Sequence, residues 1–169
     1  MNIDLNSFER EKAIDEMLPI GAVDLDLENA RVVSPVTLTG KAFKTSRVTA
    51  IMGRLAGTVE IDCDRCLRPV QSQFDFALDL EFIAKNQIGG ATNLELHSND
   101  LKLDAIEGSY LDLEEIAREQ IVLDLPQQFF CQDDCKGLCE KCGTDLNLND
   151  CDCEDNEIDP RWAALKNLN

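Results

Sequence analysis

Eight cysteines and their spacing constrain this chain more than any other feature of its 169 residues. Cys63 and Cys66 form a C-x2-C pair. The other six are grouped nearer the C-terminus: Cys131, Cys135, Cys139, Cys142, Cys151 and Cys153. Two thiolates at this spacing close a tight turn around a tetrahedral metal ion, and two further ligands complete the shell. The pattern therefore predicts metal binding.

The spacing also suggests how the thiols divide. Cys139 and Cys142 form a C-x2-C knuckle whose bend is eased by Gly143, and Cys151 and Cys153 supply two nearby ligands. The remaining four, at positions 63, 66, 131 and 135, would form a second site. We predict two structural zinc sites of four cysteines each, because four thiolates leave no open position for a catalytic water.

Disulfide formation and iron binding are the two alternatives to zinc for these thiols. Residues 1–10 lack the basic and apolar regions of a secretory signal, so we expect a cytoplasmic protein, in which disulfides are rare. Iron in a rubredoxin-like site remains an alternative, although the C-x-C of Cys151 and Cys153 departs from a pair of C-x2-C-G knuckles.

Charge is distributed unevenly along the chain. It carries 33 acidic and 16 basic residues, a net charge of −17, which excludes a uniform nucleic-acid-binding surface. Residues 131–159 hold ten acids against Lys136 and Lys141, a net charge of −8. Residues 29–59 contain no acid and five cations: Arg31, Lys41, Lys44, Arg47 and Arg54. No apolar run approaches the ~20 residues of a membrane span, so no membrane partner is expected.

The first 130 residues favour a β-sheet. Large apolar side chains occupy every second position over residues 74–82, and residues 58–63 also alternate. Residues 31–39 and 47–55 are typical of strands. We interpret three glycines as separating the strands: Gly40, Gly53 and Gly57. We interpret the segment from Cys63 to Pro69 as a hairpin turn. A helix near 112–125 begins at a capping Asp112 and stops at Pro126.

The predicted fold class is α+β, with an antiparallel, partly barrel-like β-sheet, one main helix and a cysteine-rich zinc-binding segment. We predict a single domain over residues 1–169. It comprises a β-rich core (1–130), a zinc module (131–159) and a short terminal helix (160–169), begun by Asp159 and Pro160 and docked by Trp162. Residues 85–100 are predicted to form a loop, and His97 is interpreted as a surface residue. No catalytic constellation is present, so we expect neither an enzyme nor a small-molecule substrate.

Five sequence blocks in this order resemble the YceD family of bacterial and plastid proteins, named for large ribosomal RNA subunit accumulation. They are CDRCLRPV (63–70), CKGLCEKCG (135–143), Leu146 with Asn147, CDC (151–153) and DPRWAAL (159–165). The resemblance implies a role in 23S rRNA accumulation and in assembly of the large ribosomal subunit.

The charge then predicts the kind of partner. A strongly acidic protein is expected to bind a basic ribosomal protein, or a pre-ribosomal particle that contains one, rather than bulk RNA. The alternative is direct RNA binding through the five cations between Arg31 and Arg54. Both interpretations describe a non-enzymatic assembly factor.

Overall fold

The computed structural model describes residues 1–85 and 103–153. The chain forms two compact units. The sheet unit consists of Met1–Asp62 and Pro69–Gln127, and the cysteine unit consists of Cys63–Arg68 and Gln128–Asn169. Three predictions fall outside the described residues: the terminal helix with Trp162, the surface position of His97, and most of the 85–100 loop.

Strands make up most of the described sheet unit. They are β1 (Asn2–Asp4), β2 (Glu11–Leu18), β3 (Ala30–Val32), β4 (Val36–Lys44), β5 (Val48–Asp62), β6 (Pro69–Ala84), β7 (Leu103–Ile106) and β8 (Tyr110–Asp112). One helix, α1 (Leu113–Asp124), follows β8. The prediction of a mostly β protein with one main helix is confirmed for these residues.

The strands pair in two sheets. The main sheet has the order β2-β4-β5-β6-β7, with β3 on another part of β5, and β1 pairs with β8. Five of the six described strand pairs are antiparallel, as predicted, whereas β7 runs parallel to β6. The described strands do not close into a barrel, so the partly barrel-like arrangement is not confirmed. Parallel neighbours need a connection longer than the tight turn that joins antiparallel strands. The 18 residues 85–102 separate β6 from β7, which is long enough.

A long hairpin forms the centre of the main sheet. Strands β5 and β6 pair from Val48 opposite Ile83 to Asp62 opposite Pro69, which confirms the predicted turn between them. The alternation over residues 74–82 is also confirmed. Phe74, Leu78 and Phe82 are buried, whereas Asp75, Ala77 and Asp79 are exposed. The hairpin therefore places the C-x2-C pair at its tip.

Three glycines lie inside strands, so the prediction that they separate strands is wrong. Gly40 lies in β4, and Gly53 and Gly57 lie in the uninterrupted β5. Gly40 is paired directly with Gly53, and a Cβ atom at either position would collide with the backbone of the facing strand. Glycine is required here for close approach of two backbones, so it does not end the strand.

The core lies on one face of the sheet. It is built from every second residue of the central strands, such as Leu38, Ile51 and Leu55, and from the buried face of α1: Leu113, Ile116, Ala117 and Ile121.

The Asp112 carboxylate caps α1 by accepting from the N–H of Glu114 at 2.9 Å, so the predicted start of the helix is confirmed. The predicted strand 31–39 is divided at Ser34 and Pro35, because proline has no N–H for the ladder.

Candidate metal centres

The first group of four cysteines, called centre 1, is formed by Cys63, Cys66, Cys131 and Cys135. Three of the four are buried, and Cys131 is partly buried. Phe130 and Leu138 pack against this group. The hairpin tip and the chain after residue 130 thus bring together thiols that are more than 60 residues apart in sequence.

The sulfur atoms of centre 1 are spaced as metal ligands are. All four lie within 4.8 Å of one another. The Sγ atoms of Cys63 and Cys135 are 3.8 Å apart, and those of Cys66 and Cys131 are 3.6 Å apart. A tetrahedron with zinc–sulfur bonds of about 2.3 Å has edges of about 3.8 Å. In a disulfide the two sulfur atoms would lie only about 2.05 Å apart. All eight cysteines are free.

The second group, called centre 2, is formed by Cys139, Cys142, Cys151 and Cys153. Its four sulfur atoms also lie within 4.8 Å of one another. Cys142 is exposed and the other three are partly buried, so centre 2 is more open than centre 1. The structure therefore gathers the cysteines into the two groups that the spacing predicted, compatible with metal binding at both.

The two C-x2-C knuckles share one backbone arrangement. The N–H of Leu67 donates to the carbonyl of Cys63 at 2.8 Å, and the N–H of Gly143 donates to that of Cys139 at the same distance. The residue after the second cysteine has a positive φ in both, 56° at Leu67 and 72° at Gly143. The bend predicted at Gly143 thus recurs at Leu67, which sequence reasoning missed because leucine rarely adopts this conformation.

An asparagine contacts the sulfur of Cys135. The Nδ2 of Asn147 lies 3.4 Å from the Cys135 sulfur and 2.7 Å from an oxygen of Asp145, and its Oδ1 accepts from the N–H of Lys136 at 2.8 Å. The other carboxylate oxygen of Asp145 accepts from Arg68 at 3.2 Å. The N–H groups of Asn147, and then Arg68, hold the pKa of Asp145 below its usual value. Outer contacts of this kind fix a ligand's direction.

Backbone contacts hold the hairpin tip against the later part of the cysteine unit. The N–H of Asp64 donates to the Phe129 carbonyl at 2.9 Å, and the Asp64 carboxylate accepts from the Phe129 N–H at 2.7 Å. The Arg65 guanidinium lies 4.2 Å from the centre of the Phe130 ring and donates to the Cys135 carbonyl at 2.9 Å. These contacts preorganise centre 1.

The thiols of centre 1 differ in acidity. Burial raises the pKa of the Cys63 thiol, but peptide N–H groups, first that of Cys131 and then that of Cys66, donate to its sulfur and bring the pKa down to about 6. Burial, and then the neighbouring sulfur atoms, raise the pKa of Cys131 to about 12. The first thiolate forms easily, and further ionisation is opposed by desolvation and by repulsion between sulfurs.

Centre 2 shows the same division. The Cys142 thiol and the Thr144 hydroxyl are hydrogen-bonded at 3.2 Å, and this bond, followed by the Thr144 N–H, lowers the pKa of Cys142 to about 6. The sulfurs of Cys142 and Cys139 raise the pKa of Cys153 to about 12. A bound dication would offset the repulsion that opposes full ionisation, so the donor set of both centres fits a thiophilic metal ion.

Exposed carboxylates lie close in sequence to the cysteines of both centres. Asp133, Asp134, Glu140, Asp150 and Asp152 are all exposed, and within the described ranges no cation forms an ion pair with any of them. Four thiolates and one dication would leave a charge of about −2 at each centre. The described residues of the cysteine unit carry seven acids and four cations, a net charge of −3 before any metal centre is counted, so the unit is negative overall.

The five predicted RNA-contacting cations do not form one surface. Arg31, Lys41 and Arg54 lie on the solvent face of the main sheet, where each is paired with a carboxylate: Arg31 with Glu60, Lys41 with Glu11 at 3.7 Å, and Arg54 with Asp75 at 2.8 Å. Lys44 and Arg47 instead line a separate cleft at the turn between β4 and β5. Over residues 1–85 and 103–153, no helix is long and apolar enough to cross a membrane.

The fold and the centres define a class of protein: a β-sheet unit with a cysteine unit that gathers two sets of four thiols. The sequence matches the family described as Large ribosomal RNA subunit accumulation protein YceD over residues 51–169. The chain therefore belongs to the YceD family, as its motifs predicted.

Proteins from several organisms are similar in sequence to this chain. The Bacillus subtilis protein called Uncharacterized protein YlbN is 27% identical over 166 residues, 96% of this chain and 88% of the relative. Uncharacterized protein ML1660 of Mycobacterium leprae is 26% identical, covering 92% of this chain and 70% of the relative. The Large ribosomal RNA subunit accumulation protein YCED homolog 1, chloroplastic, of Arabidopsis thaliana is 36% identical over 58 residues, 34% of this chain and 18% of the relative. No solved structure matches.

Proposed function

We propose that this protein is a non-enzymatic assembly factor of the large ribosomal subunit, needed for 23S rRNA accumulation, and that it binds a basic ribosomal protein. Membership of the YceD family, whose description names large ribosomal RNA subunit accumulation, supports the process. The observation that carries the proposed partner is the set of exposed, unpaired carboxylates of the described cysteine unit.

Zinc is the metal that we propose for both centres. Four thiolates at tetrahedral spacing suit zinc, and a complete shell of protein ligands suits a structural rather than a catalytic ion. The bound ions would hold the hairpin tip and the chain after residue 130 together, so that the acidic surface has a fixed shape. Metal binding of this type contributes ~10–16 kcal/mol to the folding of small zinc modules.

Electrostatics favours a basic protein over RNA as the main partner. Residues 131–159 carry a net charge of −8, from ten acids and two lysines, before any metal centre is counted. A segment with this charge speeds encounter with a cationic partner and repels phosphates, most strongly at low salt. Three of the five cations proposed for RNA contact are already paired with carboxylates, which weakens the direct RNA-binding alternative.

A capture experiment with matched variants tests the proposal. The full chain is used to capture partners from lysate, with and without nuclease, followed by binding assays with the purified ribosomal proteins that are recovered. Substituting Asn for Asp at positions 133, 134, 150 and 152 should weaken binding, and more strongly at low salt. The control removes four exposed acids of the sheet unit: Glu9, Asp15, Asp79 and Asp124.

The outcomes separate the alternatives. Capture of a basic large-subunit protein that survives nuclease, and that is weakened only by the variant of the cysteine unit, supports the proposal. Equal weakening by both variants would mean that net charge alone is responsible. Capture that is abolished by nuclease would favour direct RNA binding. Metal analysis of each variant checks that both centres remain intact.

A further inference from the structure

Two cations of the sheet unit stand apart from the ion pairs of its solvent face. Within residues 1–85 and 103–153, neither Lys44 nor Arg47 forms an ion pair with a carboxylate. Lys41 and Lys44 are three residues apart on β4, an odd spacing, so their side chains leave opposite faces of the strand. Lys44 is thereby separated from the ion pairs that neutralise Arg31, Lys41 and Arg54.

Lys44 and Arg47 line the same cleft. Its volume is about 150 Å³, and its polar lining residues are Asn6, Lys44, Thr45, Ser46, Arg47, Thr49 and Ser109. None of the described residues that line it carries a carboxylate. The described lining of the cleft thus lacks acids although the chain has a net charge of −17.

The local structure holds the Lys44 ammonium and the backbone of the turn that contains Arg47 in place. The Lys44 ammonium donates to the Leu5 carbonyl at 2.6 Å, which leaves two of its three N–H donors for other partners. The Thr45 N–H donates to the Val48 carbonyl at 2.9 Å, and the Thr45 hydroxyl accepts from the Val48 N–H at 3.0 Å. These bonds fix the turn that carries Arg47.

We propose that this cleft binds a single phosphate group. Its volume is smaller than the ~300–1,000 Å³ of sites for drug-sized ligands, which suits a small ion. Lysine and arginine side chains are the usual phosphate-binding groups of proteins. The chemistry is therefore that of a phosphate oxyanion, either free in solution or part of an RNA backbone.

Three acids are adjacent in sequence to lining residues: Asp4, Glu81 and Glu107. Glu81 precedes Phe82 in β6, so its side chain leaves the opposite face of the strand. The carboxylate of Asp4 accepts from the N–H of Asn6 at 2.8 Å. Glu107 is paired with Lys85 at 2.5 Å, and this contact lowers the pKa of Glu107. Repulsion from more distant acids is screened over about 8 Å at physiological salt.

A titration of the full chain, as purified, tests the proposal. The ¹⁵N-labelled protein is titrated with inorganic phosphate and, separately, with a short single-stranded RNA. We expect shifts of the amides of Thr45, Ser46 and Arg47. Arg47→Glu should weaken binding about tenfold or more, as expected for loss of a hydrogen bond to a charged group. Arg54→Glu is the matched control, since Arg54 is exposed and paired with Asp75, and it should bind like the native chain.

The titrations with inorganic phosphate and with RNA, taken together, identify the source of the phosphate and test whether the site exists. Lys44→Gln is a second test of the site. This substitution also removes the hydrogen bond from Lys44 to the Leu5 carbonyl, so the amide spectrum of the variant is used to check that it folds. Binding of RNA much tighter than phosphate, lost in Arg47→Glu, assigns an RNA backbone. Binding of phosphate alone assigns a free anion. No shifts at residues 45–47 with either probe, or equal losses in Arg47→Glu and Arg54→Glu, would disprove the site, without bearing on the proposed protein partner.

Discussion

Leu67 adopts a backbone conformation that is unfavourable for its side chain. Its φ is 56°, in the left-handed region, and the side chain is 63% exposed, so packing does not stabilise it. Leu67→Gly should raise the free energy of unfolding by up to ~1 kcal/mol, because relief of the strain exceeds the added entropy of the unfolded chain. Thermal unfolding of the metal-loaded protein measures the change.

The reverse substitution in the other knuckle is its control. Gly143 occupies the corresponding position with φ 72°, and a Cβ added there would have no atom within 4 Å, so Gly143→Ala tests conformation without a steric clash. It should lower stability by about 1–2 kcal/mol. If Leu67→Gly destabilises the protein, the equivalence of the two knuckles is wrong.

Asn147 is expected to tune centre 1 without ligating a metal. Its Nδ2 lies 3.4 Å from the Cys135 sulfur, and its Oδ1 accepts from the N–H of Lys136. Asn147→Ala should weaken metal binding at centre 1 about 10- to 100-fold, the usual effect of losing an outer contact. Competition with a chromogenic chelator measures this. Asn149→Ala, an exposed position two residues away, should change little.

At the residue scale, ligands could be predicted more readily than their surroundings. The grouping of the cysteines followed from spacing along the chain, since Cys139 and Cys142 have nearby partners at Cys151 and Cys153. Asn147 was identifiable only as part of a motif, because its bond to sulfur depends on how residues 135 and 147 meet in space. The strained Leu67 has no sequence signal of the kind that glycine provides.

Individual strands and the helix were predictable because their signals are local. Alternation in β6 and the Asp112 cap of α1 were both confirmed. The interpretation of Gly40 and Gly53 was wrong, because direct pairing of two glycines in facing strands is a long-range property. The parallel β6–β7 pair escaped prediction for the same reason.

The glycine pair gives a prediction at the scale of the strands. A Cβ at Gly53 would meet the backbone of β4, whereas a Cβ at Gly57 would meet the Phe74 ring, 2.7 Å away, which is able to shift. Gly53→Ala should therefore destabilise the sheet unit by about 1–3 kcal/mol or more, and Gly57→Ala by less. Chemical denaturation followed by far-ultraviolet circular dichroism measures both, and the opposite ranking would contradict the close approach of β4 and β5.

For the molecule as a whole, the two centres should release their metal at different rates. Centre 1 contains three buried cysteines, whereas centre 2 contains the exposed Cys142 and no buried cysteine. A chelator reaches exposed ligands first, so release monitored by a chromogenic chelator should have two phases.

Cysteine variants assign the two phases. Cys139→Ser should remove the fast phase and leave the sheet spectrum intact, because the other ligands of centre 2 are local. Cys63→Ser should remove the slow phase and free Cys131 and Cys135 from the hairpin tip. Loss of the sheet spectrum to the same extent in both variants would show that the thiols do not form two independent centres.

Native mass spectrometry of the full chain, purified under reducing conditions without added metal, shows whether the protein holds two zinc centres. It reports the number and mass of bound ions together with the oxidation state of the thiols. We predict a mass that corresponds to the chain with two zinc ions and all eight cysteines reduced, which become eight free thiols when the metal is removed by acid. A chain without metal, a chain with one ion, or a mass reduced by disulfide formation would contradict the two-centre account.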